Sequence, residues 1–291
     1  MRVNQDRLWD SLMEMAKIGA TSKGGSSRLA LSKEDKVGRD LFVSWCESIG
    51  MEIHRDPIGN LFAVYPGNNR QAAPIVMGSH LDTQPKGGRF DGVYGVLAAL
   101  EVIRTLHENE IKPNHDIEIA VWMNEEGARF SPAMLGSEVF IGELSLEKAL
   151  GIKDVNGISV ADALAETGEA GSSAFKRHLD SYFELHIEQG PILEDLNKEI
   201  GVVTGGQAIA WLDVEMLGRA QHAGTTPMRY RKDAMLGVSA FLLEIESYVA
   251  DIDDALLTIG EINIPFCSRN TIAGPKRKPG TSISINSSSL P

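Results

Sequence analysis

Apolar and polar positions along the chain switch repeatedly between a helical period and a strand period, and that switching predicts an α/β protein. At the N-terminus Leu8, Leu12, Met15 and Ile18 recur on one side of a charged amphipathic helix. A second helical pattern covers 34–50 and stops at Gly50. Two short strands, Met51–His54 and Leu61–Tyr65, flank the turn Asp56-Pro57-Ile58-Gly59-Asn60. A buried strand is expected over 74–79. Val93, Val96, Leu97, Leu100, Ile103 and Leu106 then place a helix over 91–108, and Asp116–Met123 reads as another strand. A strand, a helix and a strand in that order imply parallel neighbours in one sheet. Helix is expected over 161–169, a Gly/Ser loop over 168–173, and a further strand over Tyr182–His186.

Near residue 207 the character changes, and a domain boundary is expected there. Trp211–Leu217 alternates as a strand, Asp233–Val249 is a long amphipathic helix, and Ala255–Ile264 is a second strand. Such a β-α-β unit after a completed sheet suits a smaller lid or dimerisation domain. The final stretch, 275–291, is basic and Ser-rich and is expected to be aberrant or disordered, without strand periodicity.

Composition narrows the class. With 291 residues, 43% of them hydrophobic, the chain can bury a full core. A net charge of −12 opposes binding to nucleic-acid phosphates and offers no basic face to an anionic membrane. The N-terminal helix lacks the continuous apolar centre of a signal sequence, and no apolar run approaches membrane-spanning length. Cys46 and Cys267 are the only cysteines and are too far apart for a CxxC metal clip. A reduced, cytoplasmic setting is expected.

Candidate chemistry gathers in three places, each at the C-terminal end of an apolar, strand-like run, where open α/β sheets place their ligands. MGSHLDTQPKGGRFD, Met77 to Asp91, holds a His, two Asp and three closely spaced glycines. Asn124-Glu125-Glu126-Gly127 follows the second run and His186-Ile187-Glu188-Gln189 the third. Taken singly, His80 could be structural, Asp91 could cap a helix, and Glu125-Glu126 could be a solvated pair. Together they suit a two-metal hydrolase: imidazoles, a carboxylate that can bridge, and a spare carboxylate to act as base. His222, in the loop Gln221 to Pro227, is either a polar loop residue or an imidazole facing substrate.

The motifs GSHLDTQPKGGRFDGVYGV, NEEGARFSPAMLGSEVF, HIEQGPILE and GRAQHAGTTPM resemble those of the zinc-dependent amidohydrolases of the peptidase M20 superfamily. Within it, the chain is similar to N-carbamoyl-L-amino acid hydrolases, β-ureidopropionases and allantoate amidohydrolases from near residue 5 to about 274. The resemblance implies an α/β/α sandwich catalytic domain over 1–206, incomplete at its C-terminus, and an inserted α+β lid or dimerisation domain over 207–274. It implies two divalent metal ions, zinc or else manganese or cobalt. His80 would bind one, Asp91 would bridge both, Glu126 would bind the other, and His186 would complete the first. Glu125 would be the general base. Gln189, His222 and Asn270 would contact substrate, His222 across a homodimer formed through the lid. The implied reaction converts an N-carbamoyl-L-amino acid to the L-amino acid, carbon dioxide and ammonia. Allantoate is the alternative substrate, and a non-catalytic remnant the alternative role. After Gly274 the family pattern stops, without the lid's carboxylate-binding arginine or the final histidine ligand. The tail resembles the product of a frame shift or early stop, so the chain is expected to be inactive and unstable.

Overall fold

Helix α1 (Gln5–Met15) starts where the Asn4 side chain accepts the Arg7 N–H, and α2 (Lys33–Glu47) starts where Ser32 accepts from Asp35. These belong to a computed structural model that describes residues 1–171, 178–206, 209–253, 255–262 and 281–288. Two compact units divide the chain, Met1–Ile192 and Leu193–Pro291, so the division precedes the boundary expected at 207.

The first unit is built on β1 (Glu52–Arg55), β2 (Leu61–Tyr65), β3 (Ile75–His80), α3 (Val93–Glu108), β4 (Ile117–Trp122) and β5 (Ser181–Phe183). The sheet order is β1-β2-β4-β3-β5. Strand β3 runs parallel to both β4 and β5, as the strand-helix-strand order implies. The β1–β2 hairpin and the β2–β4 pair are antiparallel, which makes the sheet mixed. Gly78 faces Ala120 so closely that a Cβ would lie 2.1 Å from the Ala120 carbonyl oxygen.

Alternation along the strands sorts the core onto two faces. Leu61, Ala63, Ile119 and Val121 pack with Leu12 and Met15 of α1, Phe42 and Cys46 of α2, and Val96, Leu100 and Ile103 of α3. Each such buried aliphatic contributes roughly 1.5–3 kcal/mol over its exposed state. On the opposite face Phe62, Val76, Ala120 and Trp122 meet Phe140 of α4 (Leu135–Ile141). Residues of α4, α5 (Leu146–Gly151) and α6 (Val160–Thr167) join Ile58, Met123 and Phe130 in a further cluster. The α/β/α reading holds for this unit. Helices α4 and α5 are elements that the hydrophobic pattern did not predict.

A single turn, α7 (Ile192–Asp195), precedes the second unit's sheet of β6 (Ile209–Met216), β7 (Leu256–Ile262) and β8 (Thr281–Ser288). Helix α8 (Ala234–Ala250) packs Val238, Phe241 and Leu242 with Val214, Met216, Leu257 and Ile259. The order is β6-β8-β7, antiparallel throughout. Within the stretch 275–291, expected to lack strand periodicity, Thr281–Ser288 forms the central strand, its backbone paired on both sides, and the rest of that stretch lies outside the described residues. Ile283 and Ile285 alternate with serines, a strand signal too sparse to register. No helix among the described residues is long and apolar enough to cross a membrane.

Candidate metal centre

Strand β3 ends at His80, which is buried, and the chain turns back through 81–91 to the start of α3. The helix is capped by Gly92, with φ +65°, and no side chain caps it. Asp91 is therefore not the helix cap, and its carboxylate is free for other work. Gly92 is a glycine by necessity. A Cβ there would lie 2.4 Å from Cε1 and Nε2 of His80.

The end of β4 delivers Asn124, Glu125 and Glu126. Asn124, at φ +53°, donates through Nδ2 to the Phe130 carbonyl at 2.7 Å and to that of Pro132 at 3.2 Å. The turn so fixed aims the Glu125 and Glu126 N–H groups at the two carboxylate oxygens of Asp82, each at 3.2 Å. Glu125 Oε2 then lies 3.3 Å from His80 Nε2. Glu126 faces elsewhere, where Gln84 Nε2 donates to its Oε2 at 2.9 Å and to its backbone carbonyl at 3.2 Å.

His186 lies just beyond β5, which stops at Phe183 rather than reaching the histidine as expected. Its Nε2 is 3.4 Å from Asp91 Oδ1. Both imidazoles are oriented in the same manner. His80 Nδ1 is 2.8 Å from the Asp82 carbonyl and His186 Nδ1 is 2.7 Å from that of Ile187. A carbonyl oxygen can only accept, so each Nδ1 carries a hydrogen, and Nε2 is the ring atom left to face a metal.

His80, Asp91 and His186 offer one ligand atom each, all within 4.8 Å of one another. Asp91 Oδ1 is buried without a hydrogen-bond partner. An unpartnered carboxylate oxygen between imidazole Nε2 atoms suits a divalent cation, and nitrogen and carboxylate donors accept zinc, manganese or cobalt. The residues present therefore fit a metal ion. Of the four expected ligands the structure brings these three together, with Glu125 against His80 and Glu126 held apart on Gln84.

The substrate residues fare differently. Gln189, at φ +58°, donates through Nε2 to Asp91 Oδ2, so it meets the proposed bridging carboxylate. His222 belongs to the second unit and is exposed. Its Nδ1 accepts the Gly224 N–H at 3.0 Å, and Arg231 holds the loop through the Thr226 and Ala223 carbonyls at 2.8 and 2.5 Å. Asn270 lies outside the described residues.

The electrostatics favour a cation. Burial pushes the Asp82 carboxyl up to about 7. Burial also raises Glu125, with Glu126, Glu184 and Asp91 adding like-charge repulsion and His80 opposing it. Burial alone would lower the His80 pKa, but the Asp82 and Glu125 carboxylates outweigh it and hold it up. Asp82, one of the two Asp of the Met77–Asp91 motif, and Gln84 carry no role in the sequence pattern. Their signal lay inside the same motif, as polar residues two and four positions after His80 on a strand end.

Residues 76–284 match the sequence profile of peptidase family M20/M25/M40. The chain is 47% identical over 275 residues to the N-carbamoyl-L-amino-acid amidohydrolase of Rhizobium meliloti, covering 94% of this chain and 66% of that protein. It is 36% identical over 267 residues to the N-carbamoyl-L-amino acid amidohydrolase of Geobacillus stearothermophilus, covering 90% and 65%. The crystal structure of a hydantoinase/carbamoylase family amidase from Burkholderia ambifaria superposes with a TM-score of 0.84 at 53% identity, over 98% of this chain and 70% of that one. The chain thus spans about two thirds of the length of the two curated relatives. The profile match runs through both units and takes in the strand ends that carry His80, Asp91, Glu125, Glu126 and His186, and the chain belongs to peptidase family M20/M25/M40.

Proposed function

We propose that the chain carries the metal-binding centre of a hydrolase that splits the ureido C–N bond of an N-carbamoyl-L-amino acid, giving the L-amino acid, carbon dioxide and ammonia. The observation that carries this reading is the meeting of His80, Asp91 and His186 with Glu125 at 3.3 Å from His80. Two divalent cations, zinc or else manganese or cobalt, would be held by His80, Asp91 and His186, with Glu126 joining them by exchanging its Gln84 contact for the metal, and would acidify a water and polarise the scissile carbonyl. Glu125 takes the proton of the attacking water and returns it to the leaving nitrogen. Its upward-shifted pKa, from burial and its carboxylate neighbours, suits a base that must also give the proton back. Asp82 fixes the Glu125 and Glu126 backbone, so that one carboxylate faces His80 while the other is left to Gln84.

Gln189, His222 and Asn270 are assigned to the substrate on the strength of their motifs. Pairing of two copies through the second unit is proposed on the exposed Leu236, Leu243 and Tyr248 of α8. A cytoplasmic setting is in keeping with the buried, unpaired Cys46 thiol.

Glu125→Gln tests the reading. The substitution keeps the side chain's shape and removes its basicity, so metal content by isothermal titration should match the parent. Turnover of N-carbamoyl-L-amino acids, measured in this chain and in one extended to the length of its relatives, should vanish wherever the parent shows it. Loss of metal together with activity would make Glu125 a ligand and overturn its role. Faster turnover of allantoate than of carbamoyl substrates would overturn the substrate class and leave the metal chemistry standing.

A further inference from the structure

We propose that Glu184 is the positioning residue that brings His186 to the metal centre, an inference that rests on the metal-site reading above. Main-chain pairing between β3 and β5 covers only Ile75↔Ser181, Val76↔Tyr182 and Met77↔Phe183. His186 comes three residues after the last pair, past the point where the ladder can aim it. A side-chain bond takes over there. The buried Ser79 hydroxyl, next to His80, donates to Glu184 Oε1 at 2.6 Å. The Tyr182 hydroxyl donates to Glu184 Oε2 at 2.7 Å and itself accepts Trp122 Nε1–H at 2.9 Å. Trp122 is the residue that faces His80 across β3 and β4.

The Glu184 carboxylate is therefore clamped by groups from β3 and β5, and through Tyr182 it is tied to β4. The Leu185 carbonyl, one residue on, fills the space a Cβ would take on Gly95 of α3, at 2.7 Å. With Glu184 fixed on Ser79 and Leu185 seated over Gly95, little backbone freedom remains before His186. Its Nε2 is thereby delivered to Asp91 Oδ1 at 3.4 Å. Groups that orient metal ligands without touching the metal change affinity by about 10–100-fold when removed.

The test titrates Zn²⁺, and separately Mn²⁺, into the 291-residue chain and its variants, using calorimetry and competition with a chromophoric chelator. Glu184→Ala should weaken binding by about 10–100-fold, and Ser79→Ala should weaken it in the same direction by cutting the same bond from its other end. Glu184→Gln should stay within about threefold of the parent, because an amide oxygen can accept from Ser79 while the amide nitrogen turns to the Tyr182 oxygen. In a His186→Ala background, Glu184→Ala should cost nothing further, since its effect travels through that imidazole. This non-additivity separates positioning from a general loss of structure. Should Glu184→Ala not fold, the Ser79→Ala and Glu184→Gln pair decides the matter. Parent-like affinity in Glu184→Ala or Ser79→Ala would overturn the proposal. So would an equal loss in Glu184→Gln, which would assign the effect to charge. A parent chain that binds neither metal would instead sink the metal-site reading on which the proposal stands.

Discussion

Gly92→Ala is the substitution for which the geometry gives the clearest number. The new Cβ would sit 2.4 Å from Cε1 and Nε2 of His80 and 2.5 Å from Cδ2, edge-on to the coordinating half of the ring. Carbon contacts are comfortable at about 3.5 Å, so the imidazole must retreat by roughly 1 Å. That retreat breaks the 2.8 Å bond from Nδ1 to the Asp82 carbonyl, at a cost of about 1 kcal/mol. Holding alanine at φ +65° adds about 1–2 kcal/mol. The metal-free fold should therefore lose about 2–3 kcal/mol, read as a shift in the urea midpoint measured with chelator present. Metal affinity should fall further. Ligand distances are held to within about 0.2 Å, and a displacement several times larger should cost at least about 100-fold, near 2.7 kcal/mol. Gly88→Ala is the matched control, because its Cβ would meet nothing within 4 Å and its backbone is not left-handed. If Gly92→Ala binds zinc within about threefold of Gly88→Ala, His80 does not need its present position and the ligand assignment fails.

Other perturbations test the scaffold around the same centre. Asp82→Asn leaves one acceptor oxygen for two N–H groups, those of Glu125 and Glu126, and should cost about 1–3 kcal/mol in urea unfolding, with weaker metal binding by calorimetry. Arg28→Met removes a fully buried guanidinium that donates to the Leu81, Met15 and Ile18 carbonyls and the Ser26 hydroxyl. A loss on the order of 3 kcal/mol is expected, visible as a lowered thermal midpoint. Arg7→Leu probes acid stability. Burial by itself would raise the Glu101 pKa, but the Arg7 guanidinium and the Asn4 N–H outweigh it and hold it below 4.5. A depressed carboxylate stabilises the fold above its unfolded pKa, and that contribution is lost as pH falls through the folded value. The stability gap between parent and Arg7→Leu should thus be widest near neutrality and close as pH drops below 4.5; a gap independent of pH would show that the pair contributes packing alone.

The parts of the fold that were legible in the sequence are those where burial repeats at a fixed period over enough residues. Six apolar positions on one stripe specify α3, and unbroken apolar runs specify β3 and β4. Helices α4 and α5 have seven and six residues, too few to establish a helical period, and they follow a turn fixed by Asn124 rather than by local propensity. Strand β8 has little local signal, because only Ile283 and Ile285 mark its alternation and its place is set by two neighbours distant in sequence. The same distinction governs the centre. His80, Asp91, Glu125 and His186 were legible as chemistry, since ligand-bearing residue types after strand-like runs announce themselves one by one. The residues that aim them were not. Asp82 acts on backbone groups more than forty positions on, and Glu184 meets Ser79 across a separation of 105. No periodicity reports such pairs. What made the ligands readable at all is that β3, β4 and β5 are parallel, so their C-terminal ends lie at one edge of the sheet. Antiparallel strands of the same sequences would send His80 and Glu125 to opposite edges. The parallel pairing, implied by the helix between β3 and β4, is therefore the step that turns three separate motifs into one site.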